Sequence, residues 1–179
     1  MTIQLHVHKE ILREYLNYIF KKLPSGAYKV SKLEDFGRAL CSFVRYSNIR
    51  VPEPPHPAQE LVTFRLPRIE ALNNALGYNL YYTRDDQEKL NDYLALIFDL
   101  DFDRYYLAGK ASGEQKKDII MSFIASRKLS RLLSDPELLK KRQYRSELKL
   151  LEARMVTLSK RAYNRNDRIT YYRRILYAS

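Results

Sequence analysis

The N-terminal stretch LHVH places His6 and His8 two residues apart. On an extended strand alternate side chains share a face, so two imidazoles at this spacing project together and could hold a divalent cation. Two further constellations raise the same question. DLDFD sets Asp99, Asp101 and Asp103 at alternate positions, and YLAGK sets Tyr106 four residues before Lys110. Alternating carboxylates suit a hard cation, and a tyrosine beside a lysine suits attack on a phosphate.

A plainer reading stands beside each. Histidine, one hydrophobic residue and histidine resembles the metal-binding signature of the tyrosine nickases of single-stranded DNA, in which Tyr106 would attack and Lys110 assist. A metal-dependent single-strand nickase is therefore the third alternative. Against it, His6 and His8 share a strand face with Thr2 and Gln4, which reads as the solvent face, and no third ligand is defined. A calcium loop beginning at Asp99 fails, because loop position 6 is not glycine and position 12 is Lys110. A helix end followed by a capped turn explains the same aspartates. With five glycines the chain contains no phosphate-cradling loop. The sequence thus assigns no catalytic residue, no metal ligand and no cofactor, and predicts a protein that is not an enzyme.

Charge carries the main functional expectation. The net charge is +11, and it is unevenly placed: residues 1–50 hold 9 basic and 4 acidic groups, 51–110 hold 6 and 10, and 111–179 hold 17 and 7. A surplus gathered in the last third favours a polyanion, and predicts a nucleic-acid-binding accessory or regulatory protein, with DNA the expected partner. The residues expected on phosphates are Lys140, Lys141, Arg142, Arg145 and Lys149 on a long helix, and Arg165, Arg168, Arg173 and Arg174 in the tail. Tyr163, Tyr171, Tyr172 and Tyr177 interleave with those arginines and could stack on bases. Arginine and tyrosine are also enriched at protein interfaces. Tyr144, Leu148, Leu151, Met155, Leu158 and Ala162 form a heptad seam, so the alternative is an assembly protein that pairs with its own copy or a helical partner. The single Cys41 excludes an intramolecular disulfide and a cysteine zinc cluster. No apolar run is long enough to span a bilayer and no signal-peptide pattern is present, so no membrane partner and a cytoplasmic location are expected.

The elements that must position these residues follow from periodicity. Residues 2–7 alternate as a half-buried strand with Ile3, Leu5 and Val7 inward. A helix then carries Ile11, Leu12, Tyr15, Leu16, Ile19, Phe20 and Leu23, and Pro24 to Gly26 end it. A capping box at Ser31 and Glu34 opens a second helix with Leu33, Phe36, Leu40, Phe43 and Val44 buried. VPEPPHP is an extended connector, and ELVTFRLP is the strand partner for the first. Pro67 to Gly77 reads as a helix and YNLYY as a strand or extended bridge. A box at Thr83 and Asp86 opens a helix through Leu90, Tyr93, Leu94, Ile97 and Phe98, followed by a turn of helix over Arg104 to Leu107. Ser112 caps a helix carrying Ile119, Ile120, Phe123, Ile124, Leu129, Leu132 and Leu133. The long basic helix and a short last helix complete the chain.

This pattern predicts a predominantly helical α+β fold. Two or three short antiparallel strands are covered by helices, with a core over 1–110 and a basic helical hairpin over 111–179 packed on it as one domain. VTFRLP, YYTRDDQEKLNDYLALIF and KKDIIMSFIASRKL, spread over residues 1–130, resemble small proteins of bacterial mobile elements and prophages. That resemblance implies a setting in which DNA is handled, and no residue role.

Overall fold

A computed structural model describes residues 1–51, 60–67 and 79–129. The fold is α+β and dominated by helix. Strands β1 (Thr2–His6), β2 (Lys21–Lys22), β3 (Tyr28–Lys29) and β5 (Leu61–Arg65) form a four-stranded sheet in the order β1-β5-β3-β2. β4 (Arg45–Ser47) and β6 (Asn79–Tyr81) form a separate antiparallel pair. Helices α1 (Glu10–Ile19), α2 (Asp35–Phe43), α3 (Arg84–Ala111) and α4 (Lys116–Arg127) complete the described part.

The expected pairing of the first strand with ELVTFRLP is present. β1 and β5 run antiparallel, with Ile3 opposite Phe64, Leu5 opposite Val62 and His6 opposite Leu61. Their alternation buries Ile3, Leu5, Val62 and Phe64 under the helices. The sheet is larger than expected and mixed, because β3 pairs parallel with β5. β2 and β3 make a hairpin where the sequence reading extended the first helix to Leu23. Gly26, at φ +82°, turns that hairpin, and strands of two residues carry too little alternation to register as strands.

Helix α1 buries Leu12, Tyr15 and Leu16 as expected. At α2 the expected capping box is absent. Ser31 Oγ accepts instead from Leu33 N, the helix begins at Asp35, and Leu33 is 89% exposed. Gly37 is required there, since a Cβ would stand 1.9 Å from the Ser31 carbonyl oxygen.

The largest departure is α3. Thr83 and Asp86 form the expected reciprocal box, but the helix then runs 28 residues through DLDFD without ending. Leu90, Leu94, Phe98, Phe102 and Tyr106 are all buried, so one apolar stripe at four-residue spacing passes between the aspartates and holds the helix to the core. Ser112 ends α3, its Oγ donating to the Ala108 carbonyl, where it was expected to start the next helix. α4 begins at Lys116 and stops at Lys128, whose φ of 55° is left-handed. Ile119, Ile120, Phe123 and Ile124 pack α4 on α3, closely enough that a Cβ on Gly109 would lie 2.8 Å from Ile119 Cγ1. The expected helix at Pro67 to Gly77, most of VPEPPHP, Leu132 and Leu133, the heptad seam and the short last helix lie outside the described residues.

Candidate metal centre

β1 is an edge strand, and its open edge is covered by side chains of α3. Gln87 Oε1 accepts from His6 N at 3.4 Å, Asn91 Oδ1 from His8 N at 3.3 Å, and Asn91 Nδ2 donates to His6 O at 2.7 Å. Gln87 and Asn91 are one helical turn apart, which matches them to successive polar groups of a strand crossing the helix. Arg13 Nη1 holds the same backbone from α1, donating to Val7 O at 2.6 Å and His8 O at 3.2 Å. The segment carrying both histidines is thus held from two helices.

The expectation of a solvent-facing pair is corrected for one histidine. His6 is 6% exposed, whereas His8 is exposed. The His8 ring packs edge-on against His6 with centroids 4.5 Å apart, and His6 Nε2 meets the Glu60 carboxylate. Glu60 arrives through the β1–β5 ladder, where its carbonyl accepts from Val7 N at 2.9 Å. One ligand-type atom from each of His6, His8 and Glu60 lies within 4.8 Å of the others. Donors about 2.1 Å from a tetrahedral zinc ion stand roughly 3.4 Å apart, so the widest pair must close by at most about 1.4 Å. Rotation of the exposed His8 ring can supply that, and the direct His6–Glu60 contact must open by about 1 Å to admit the ion. Two imidazoles and one carboxylate form a donor set suited to zinc and other first-row divalent ions, and three protein ligands leave a coordination position for a further group.

Glu60 is the residue that sequence reasoning missed. Its signal was available: registering Ile3, Leu5 and Val7 against Phe64 and Val62 brings the start of ELVTFRLP beside the histidines.

The other two constellations are not brought to this site. Tyr106 is 7% exposed and stands fifteen residues beyond Asn91 on the same helix, about 22 Å along its axis. It is therefore no partner for the histidines. Asp99, Asp101 and Asp103 lie within α3, where a two-residue step turns about 200° and points Asp101 away from its neighbours. Asp101 is committed to structure. It accepts from Arg127 Nε and Nη2, both at 2.8 Å, and from the Tyr15 hydroxyl at 2.8 Å. The Arg127 guanidinium also lies 4.3 Å from the centre of the Tyr18 ring. Burial, with the Asp101 carboxylate, pushes the Tyr15 phenol far above its ordinary range. Cys41 is half-buried, and burial pushes its thiol up to about 11.

The residues expected on phosphates, Lys140, Lys141, Arg142, Arg145, Lys149, Arg165, Arg168, Arg173 and Arg174, lie outside the described residues. Among the described residues no helix is long and apolar enough to cross a membrane. Comparison with protein-family models, curated proteins and solved structures finds no match. The resemblance to mobile-element proteins therefore rests only on the segments quoted for it.

Proposed function

We propose that this chain is a metal-binding protein, holding one zinc-class divalent ion between His6, His8 and Glu60. The observation that carries this reading is the convergence of the three side chains at one end of the β1–β5 ladder, where the end of β1 meets the start of β5. The alternative use of the same groups, a His6–Glu60 ion pair with His8 packed beside it, needs no ion. A metal titration separates the two. Dialysis against zinc should leave one equivalent per chain. Cobalt(II) should give the visible bands of a low-coordinate site, with micromolar or tighter affinity. His8→Ala should weaken binding at least a hundredfold, and saturation at 100 times Kd should stabilise the fold by about 2.7 kcal/mol. Failure to retain any ion at micromolar concentration overturns the reading.

A second reading rests on a different observation, the net charge of +10 in residues 111–179. We propose that this third contacts nucleic-acid phosphates, with Lys140, Lys141, Arg142 and Arg145 foremost. The assembly reading shares the same stretch through Leu151 and Leu158, and predicts a dimer that dissociates when both are made polar.

A further inference from the structure

The arrangement around the triad points to a ligand for its open position. His8 is the exposed member, so the ion meets solvent on that side. Arg13 is fixed on the same backbone segment, its Nη1 donating to the carbonyls of Val7 and of His8 itself. Among the described residues, Nε and Nη2 of Arg13 take no hydrogen bond, so the edge of the guanidinium that matches a pair of oxygens is unused. The acidic groups next to it on α1, Glu10 and Glu14, are engaged in interactions of their own. Lys9 adds a second exposed cation directly after His8.

An ion and a guanidinium held on one backbone segment together favour oxyanions, and the number of oxygens decides among them. A carboxylate has two, which the arginine edge alone would occupy. A phosphodiester also has only two unsubstituted oxygens. A phosphate monoester or inorganic phosphate has at least three, enough to place two on Arg13 and one on the ion.

We propose that the ion held by His6, His8 and Glu60 binds the oxygen of a terminal or free phosphate, with Arg13 as its second contact. This inference rests on the metal reading above. It is tested on the full chain loaded with cobalt(II), by following the visible bands during titration with inorganic phosphate, acetate, and a thymidine dinucleotide with and without a 5′-phosphate. Inorganic phosphate or the 5′-phosphorylated dinucleotide, or both, should shift the bands saturably at concentrations at least tenfold below acetate and the unphosphorylated dinucleotide. A response to inorganic phosphate alone assigns free phosphate as the source, and a response to the phosphorylated dinucleotide assigns a nucleic-acid end. Arg13→Gln should raise the half-saturating concentration at least tenfold, and Arg13→Lys by less. The cobalt bands of each phosphate-free variant check that its triad has folded. Absence of cobalt bands in the parent protein overturns the metal reading itself. Cobalt bands that ignore every phosphate, respond equally to the unphosphorylated dinucleotide, or respond unchanged in Arg13→Gln overturn this inference alone.

Discussion

At the scale of residues, the described part holds two polar clusters of opposite kind. Around Asp101 every strong group is answered: the carboxylate meets Arg127 and Tyr15, and the guanidinium also meets the Tyr18 ring. Asp101→Asn keeps the shape and removes the charge, leaving Arg127, whose side chain is 14% exposed, without its counter-ion. It should destabilise the fold by about 2–4 kcal/mol, the lower end reflecting partial exposure, while leaving metal affinity unchanged. Urea unfolding beside a cobalt titration reads both, and a variant as stable as the parent would remove the pair from the forces holding α4. Around His6 two imidazoles and a carboxylate converge within 4.8 Å of one another. That difference was hidden in the sequence because spacing shows which side chains share a face and says nothing of what faces them. The aspartates had the more suggestive spacing, yet it is the histidines that a further carboxylate, Glu60, joins.

Among elements, those with long stripes were legible and those built from short contacts were not. β1, β5, α1 and the Thr83 box follow from alternation, four-residue spacing and capping chemistry. The β2–β3 hairpin, β4 and the start of α2 did not, since two or three residues show no period and Ser31 uses its hydroxyl in a turn. α3 was cut short because three aspartates looked like an ending, although the stripe from Leu90 to Tyr106 continues beneath them. At its other end the box is a joint of several parts. Asp86, 1% exposed, accepts from Thr83 Oγ1 at 2.7 Å and from Arg45 Nε at 2.6 Å, tying α3 to β4. Thr83→Ala should therefore cost about 1–2 kcal/mol, at or above the usual loss for a helix cap. Hydrogen exchange should localise the loss to the first turn of α3 and to β4. A loss spread evenly over all helices would contradict that role.

For the molecule as a whole, charge is the property the sequence displayed most plainly, and the fold class follows from the same pass along the chain. If the last third contacts duplex DNA, each phosphate contact contributes roughly 0.9 to the salt slope, so replacing Lys140, Lys141, Arg142 and Arg145 together should lower that slope by about 3–4. Tight binding that survives at high salt in the fourfold variant would refute the assignment. One earlier contact then acquires a second meaning. The Asp101–Arg127 pair fixes the end of α4 beside a point on α3 ten residues from Asn91, about 15 Å along the helix axis from the clamp on β1. Residues 130–179, with 13 basic and 5 acidic groups, are thus attached a short reach from the triad. If that segment captures a polyanion and the triad holds an ion, the polyanion would meet the ion as a tethered species and no longer as a dilute solute. Its engagement there is governed by effective concentration, so a site with modest intrinsic affinity for phosphate can be filled at nucleic-acid levels that would leave it idle in a truncated chain.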